Sequence, residues 1–282
     1  MTDLRRSALY LPASNARAIA KARTLPCDVV ILDLEDSVVP EEKGRARDAA
    51  VAAAREGGFG ERLLVARANG LDTEWGEADL AALASAGFGA ILVPKIASAA
   101  DVGRYAERAG DTELWIMIET CGSLFGLEPI AAMAASTRLT TMVLGTNDLA
   151  KEMRARFGAG RAPFLPFLSF AVAAARLHGL AVLDGVYNAI DDAEGFVAAC
   201  AQSVDYGCDG RTLIHPSQIA ACNAAFSPDE TAVHRAEAIV AAFEAPENAG
   251  KGALRVDGAM AERLHLEEAR RTIALAKACA HD

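Results

Sequence analysis

Aromatic side chains are scarce in this chain, at 6% of 282 residues, and no apolar stretch reaches the roughly 20 residues that span a bilayer as a helix. A transmembrane helix is therefore not expected. Positive charge is in deficit. The formal net charge is -10, which argues against nucleic acid as a partner, because phosphate binding wants a basic face. A few local Arg and Lys can still hold one anionic ligand. The six cysteines, Cys27, Cys121, Cys200, Cys208, Cys222 and Cys279, show no CxxC spacing, and read as reduced core thiols of a cytoplasmic protein. The opening MTDLRR and its short apolar sequel do not read as a signal peptide. Neither GxxxxGK[ST] nor GxGxxG occurs, which removes the Walker-type phosphate loop and the dinucleotide fingerprint. No low-complexity linker or short-period repeat divides the chain.

What the chain does have is alternation. Short runs rich in Val, Ile and Leu are followed by Ala-rich helical stretches. Strands are expected at Ser7–Leu11, Val29–Leu34, Leu63–Arg67, Ala90–Val93, Leu114–Ile118, Thr141–Leu144, Ala181–Leu183 and Gly210–Ile214. Strand–helix units over about 215 residues predict an α/β fold, a closed (β/α)₈ TIM barrel; a doubly wound open sheet is the alternative. Residues 1–225 are assigned to the barrel and 226–282 to a C-terminal helical extension and lid. Within that extension, helices are expected near Glu230–Phe243 and Ala261–Ala280. Ala245–Gly258, rich in Gly, Pro and Asn, reads as a loop or hinge.

In such barrels the chemistry sits at the C-terminal ends of the strands. Polar groups interrupt the apolar runs there: Asp33, Glu35 and Asp36, then Arg67 and Asn69, Lys95, Glu119, Asp148, Asp184 and His215. Glu119 and Asp148 come from neighbouring strands. Two carboxylates, with water and substrate oxygens completing an octahedron, suit Mg²⁺ and admit Mn²⁺, whereas zinc prefers Cys and His. The alternative is a pair of acids bound to Lys95 or Arg67. Arg67 can fork onto a substrate carboxylate, or be held by Glu35 or Asp36. Asp33 and Asp184 read as structural or as supports behind the site, and His215 as a general base or, ahead of that, as a buried ring hydrogen-bonded to a neighbouring carboxylate. Arg5, Arg6, Arg17 and Lys21 form a basic cluster that can meet a nucleotide phosphate or simply be solvated.

A family becomes visible in the same residues. Ser7–Pro12 (SALYLP), Asp33–Val38 (DLEDSV), Val65–Gly70 (VARANG), Pro94-Lys95, Ile118–Thr120 (IET), Gly145–Ala150 (GTNDLA), Asp184–Tyr187 (DGVY) and Ile214–Pro216 (IHP) stand in order. The chain resembles the citrate lyase beta-subunit-like acyl-CoA lyases of the aldolase/citrate lyase superfamily, over about residues 5–280. The runs NGLDTEWG, GTNDLAKE and LDGVYN, and the absence of a large insertion, resemble malyl-CoA lyases and their shorter relatives, the (3S)-malyl-CoA thioesterases. The resemblance implies Mg²⁺ on Glu119 and Asp148, and Arg67 on the carboxylate or keto-acid oxygen. It implies CoA phosphates near Arg17 and Lys21. Asp257, in VDGAM, resembles an acid that related enzymes bring over a neighbouring subunit's site, and a homotrimer or dimer of trimers is implied with it. The chain departs from the pattern at Ala13 and at Cys121-Gly122-Ser123. The implied activity is lyase or thioesterase chemistry on malyl-CoA. Citramalyl- or citryl-CoA cleavage, a CoA-independent class II aldolase and a non-catalytic acyl-CoA scaffold stand behind it.

Overall fold

The computed structural model describes residues 4–280. Eight parallel strands close into a barrel in chain order: β1 Ser7–Pro12, β2 Val29–Asp33, β3 Leu63–Arg67, β4 Ala90–Val93, β5 Glu113–Ile118, β6 Leu139–Leu144, β7 Ala181–Asp184 and β8 Gly210–Leu213. β1 pairs with both β2 and β8, so the sheet has no edge and the open-sheet alternative is set aside. The continuous apolar runs follow from this. A strand covered by helices outside and by barrel core inside has no wet face, and β2 is buried at every position.

The helices are α1 Ala16–Ala22, α2 Lys43–Glu56, α3 Gly76–Leu83, α4 Ala99–Ala109, α5 Cys121–Phe125, α6 Leu127–Ala132, α7 Thr146–Met153, α8 Leu165–Leu177, α9 Ala193–Asp205, α10 Ile219–Ala225, α11 Glu230–Glu244 and α12 Arg263–Cys279. Their ends carry the expected chemistry. α4 opens with a reciprocal Ser98–Asp101 capping box, and Gly110, with φ 59°, stops it. None of the described helices is long and apolar enough to cross a membrane.

Strand period places the site. Val29 and Ile31, Val65, Trp115 and Met117, Val143, and Leu183 all point into the barrel core. Two residues further along each strand, the same face carries Asp33, Arg67, Glu119, Gly145 and Gly185. At the opposite, N-terminal end, the fully buried Trp115 fills the core, and the Arg5 guanidinium lies 5.5 Å from its ring centroid.

Arg5–Asn223 forms one compact unit, and the chain from Ala224 onward belongs to a second. In the second, α11 and α12 pack through Ala236, Ile239 and Ala269. The stretch read as a hinge instead ends in the first strand and turn of an antiparallel hairpin, β9 Ala253–Val256, whose partner β10 Ala259–Glu262 follows it. Asp257 and Gly258 turn it with φ 50° and 81°, the left-handed pair that a two-residue Asp-Gly turn requires. Four-residue strands with little alternation explain why this hairpin was hard to read.

Candidate active site at the barrel mouth

Glu119 lies just beyond β5 with its side chain 0% exposed. Its Oε1 accepts a hydrogen bond from the Lys95 backbone N–H at 2.8 Å. Its Oε2 is buried and has no hydrogen-bond partner. Gly145 faces it from β6: a Cβ there would stand 2.5 Å from Glu119 Cβ and Oε2. Only glycine leaves that space open. Burial pushes the Glu119 carboxyl above its ordinary range, against the pull of Lys95.

Asp148 does not sit on a strand end as expected. It lies in the first turn of α7, a helix the sequence reading missed. The turn nevertheless brings it to Glu119. One atom joins the two acids: Lys95 Nζ is 2.7 Å from Asp148 Oδ1 and 3.4 Å from Glu119 Oε1. Burial opposes the charge on Lys95, but Glu119 and Asp148 outweigh it and hold its pKa above the usual lysine range. Lys95 reaches both acids from a backbone with φ 56°, a left-handed conformation uncommon outside glycine. The expected alternative, acids bound to Lys95, is thus the arrangement present, and it places a cationic nitrogen between two carboxylates.

Arg67 is buried on the same inner face. Its Nε and Nη2 donate to Asp33 Oδ1 and Oδ2, both at 2.7 Å. Its Nη1 lies 2.7 Å from Glu35 Oε2 and 3.4 Å from Asp36 Oδ2. The guanidinium carbon is 4.9 Å from the Tyr10 ring centroid. The parallel fork is therefore taken by Asp33, and Nη1 is the nitrogen turned toward the other acids. Burial pushes the Asp33 carboxyl up, but Arg67 outweighs burial and holds it below its ordinary value. Burial wins at Glu35. Arg67 offsets it only in part, and the carboxyl rises to about 8.

Glu35 is one of the two acids expected to hold Arg67, and it does so; the residue that sequence reasoning passed over is the cation beneath it. The buried Lys43 Nζ donates to the Leu34 and Glu35 carbonyls at 2.7 and 2.6 Å and to Asn69 Oδ1 at 2.7 Å. Asn69 is tied in turn to Asp79 Oδ2 at 2.6 Å. Asn69 of the NGLDTEWG run therefore helps brace the loop that carries Glu35. A Lys at a helix start gave no sign of this, because charged residues are mostly exposed there.

Other candidates lie elsewhere. Asp184 has the opposite strand parity to Gly185 and points outward. It bonds Arg211 at 3.0 Å, Arg161 at 2.9 Å and Ser203 at 2.6 Å, a structural role. His215 is exposed rather than buried. Pro216 starts a short turn after β8, and the ring caps it, bonding Ser217 Oγ at 2.7 Å. The basic cluster also divides. Arg5 and Arg6 precede β1 and belong to the barrel's N-terminal end, where Arg6 forks onto Asp28 at 2.9 and 2.7 Å. Arg17 and Lys21 follow β1, exposed and one turn apart on α1. Asp257 lies at the hairpin tip of the C-terminal unit and lines a cavity of about 480 Å³ there, with Glu230, Thr231, His234 and Arg235.

A family model, HpcH/HpaI aldolase/citrate lyase, matches residues 6–216. The chain belongs to this family. Relatives cover nearly all of it. A (3S)-malyl-CoA thioesterase of Cereibacter sphaeroides is 46% identical over 275 residues, which is 98% of this chain and 95% of that protein. An L-malyl-CoA/beta-methylmalyl-CoA lyase of Rhodobacter capsulatus is 33% identical over 298 residues, covering 94% and 92%. Among solved structures, CitE from Mycobacterium tuberculosis in complex with magnesium, acetoacetate and coenzyme A superposes with a TM-score of 0.79 at 29% identity, covering 96% of this chain and 97% of that one. The family span contains every barrel-mouth residue described above and ends before Asp257.

Proposed function

We propose that this protein is a Mg²⁺-dependent enzyme acting on malyl-CoA or a related 3-hydroxy-3-carboxyacyl-CoA, with hydrolysis to malate and CoA as its leading activity. Cleavage to glyoxylate and acetyl-CoA is the second reading. The observation that carries the proposal is the Glu119–Asp148 pair converging on one cationic atom, with Glu119 Oε2 buried and unbonded beside it. The 46% identity to a protein named as a thioesterase, against 33% to one named as a lyase, sets the order of the two readings.

The residues fit a hard cation. Among the described residues no group of three or more His, Cys, Asp or Glu is arranged to hold a metal ion by itself. Mg²⁺ commonly takes one or two carboxylates and fills its remaining positions with water and substrate oxygen. Glu119 and Asp148 would hold it, with Mn²⁺ as a substitute. Bound there, the ion supplies Lewis-acid polarisation of the substrate's oxygens.

The chain's own groups do the rest. Asp33 locks Arg67, and Nη1, shared here with Glu35 and Asp36, is the donor that would meet the substrate's carboxylate or keto-acid oxygen. A pre-aimed donor is worth about 10²–10³ in rate. Arg17 and Lys21 receive the CoA phosphates. Asp257, carried by the C-terminal lid, exchanges the proton at the reacting carbon or water. In hydrolysis, water adds to the thioester carbonyl, its proton passes to the departing sulfur, and malate and CoA result. In cleavage, the hydroxyl proton leaves, the C2–C3 bond breaks, and the thioester enolate takes a proton. Asp257 acts over a neighbouring subunit in a homotrimer or dimer of trimers, and six free thiols suit a cytoplasmic setting.

Incubation with malyl-CoA and Mg²⁺ tests the proposal. Free thiol without glyoxylate supports hydrolysis, and glyoxylate supports cleavage. Neither product from malyl-, citramalyl- or citryl-CoA sinks the CoA reading. EDTA should stop the activity, and added Mg²⁺ should restore it.

A further inference from the structure

We infer that Lys95 is a built-in stand-in for the divalent ion. Its ammonium holds Glu119 and Asp148 together while the site lacks metal, competes with the ion for that pair, and swings out when the ion enters. The inference rests on the proposed metal role of the pair and goes beyond it.

Four observations converge on Lys95. Its Nζ is 2.7 Å from Asp148 Oδ1 and 3.4 Å from Glu119 Oε1, so it occupies the position between the two acids. Its own backbone N–H donates to the same Glu119 oxygen at 2.8 Å. The main chain therefore anchors Glu119 whether or not the ammonium is present. The Lys95 side chain is 38% exposed while that of Glu119 is 0% exposed, so the lysine can leave into solvent and the glutamate cannot. Finally, φ 56° at Lys95 bends the chain so that both its N–H and its side chain face Glu119.

The physical need is clear. A carboxylate buried at Glu119 with no positive partner is costly, and a buried acid meets that cost by pairing or by taking up a proton. Lys95 supplies the pairing. An ammonium and a divalent ion cannot both lie against the same two oxygens, because like charges at such range repel strongly. Metal entry therefore requires the lysine to withdraw, and part of the ion's binding free energy is spent on that withdrawal.

The test is direct Mn²⁺ binding, read from the free-ion EPR signal at pH 8, with no substrate and no turnover. Lys95→Met should bind Mn²⁺ at least about tenfold more tightly than the wild type, close to 1.4 kcal/mol. Lys95→Arg keeps the charge and should stay within about threefold of wild type. Glu119→Gln and Asp148→Asn should lose binding. In wild-type protein with ¹³C-methylated lysines, the Lys95 signal should shift on adding Mg²⁺ toward the position of solvated lysines, a readout that does not depend on the variants folding. Equal or weaker binding by a folded Lys95→Met protein overturns the inference and leaves the metal reading standing, as does a Lys95 signal unmoved by Mg²⁺. Wild-type protein that binds no Mn²⁺, or a Glu119→Gln protein that binds it as well as wild type, overturns both.

Discussion

At the scale of single residues, the mouth is governed by how each buried charge is met. Arg67 is met by three acids, and Asp33 is the one that fixes its angle. Arg67→Lys keeps the charge and loses the fork. Turnover should fall about 10²–10³-fold, and stability by about 1.5–3 kcal/mol as a charged hydrogen bond is lost; steady-state kinetics and urea melts read the two effects. Glu35 has a different consequence. Burial raises its folded pKa to about 8, well above the ordinary glutamate range. The folded state then binds the proton more tightly than the unfolded state, so its stabilising contribution is complete below the unfolded value and is lost as pH climbs through the folded one. Glu119, also raised by burial, adds with the same sign. Asp33 and Asp184, lowered by their arginines after burial is overcome, act with the opposite sign, below the usual aspartate range. Stability should therefore decline between about pH 5 and 8, with a slope of up to about 1.4 kcal/mol per pH unit from Glu35. Glu35→Gln should flatten that decline in urea melts. An unchanged slope would remove Glu35 as its source.

At the scale of elements, strand parity does most of the positioning. The inner face of β5 runs Trp115, Met117, Glu119, and that of β6 ends on Gly145. Gly145 has φ -97°, so alanine is acceptable to its backbone; the obstacle is Glu119. Gly145→Ala should raise the Mg²⁺ concentration needed for half-maximal rate at least about tenfold while costing about 1–3 kcal/mol in folding. A Mg²⁺ titration of the rate checks the first effect, and an unshifted curve would mean that Glu119 has more room than its neighbours allow. The same periodicity explains what could be read in advance. Apolar runs that stop at a charge, as in LLVAR and IMIE, announced the strands, the barrel and the positions of Arg67 and Glu119. Runs of that kind say nothing about partners far along the chain. The Lys43–Asn69–Asp79 brace spans segments that only the closed barrel brings together. The raised pKa of Glu35 is equally invisible in a run, because it depends on burial. α7 was missed because Thr146–Met153 is short and follows its strand after one glycine. The Asn147–Asn188 amide pair, with bonds of 3.2 and 2.8 Å, explains why GTND and LDGVYN belong together: it staples the β6 and β7 turns.

At the scale of the whole molecule, the proposed acid and the proposed metal pair lie in different compact units of the chain. If Asp257 serves a neighbouring subunit, Glu119→Gln and Asp257→Asn proteins should each be inactive, yet co-assembly should restore hydrolysis, because mixed oligomers contain sites with both groups intact. Co-expressed chains carrying different tags, purified over both, provide the measurement. No recovery would place the acid within its own chain or assign the proton elsewhere. A last consequence follows from Trp115, sealed into the barrel floor with Arg5 laid against it. The barrel is a cul-de-sac. Whatever enters acyl end first must come out past its own tail, so the CoA half departs before the acid it leaves behind. Malate should then inhibit competitively against malyl-CoA, and free CoA should not.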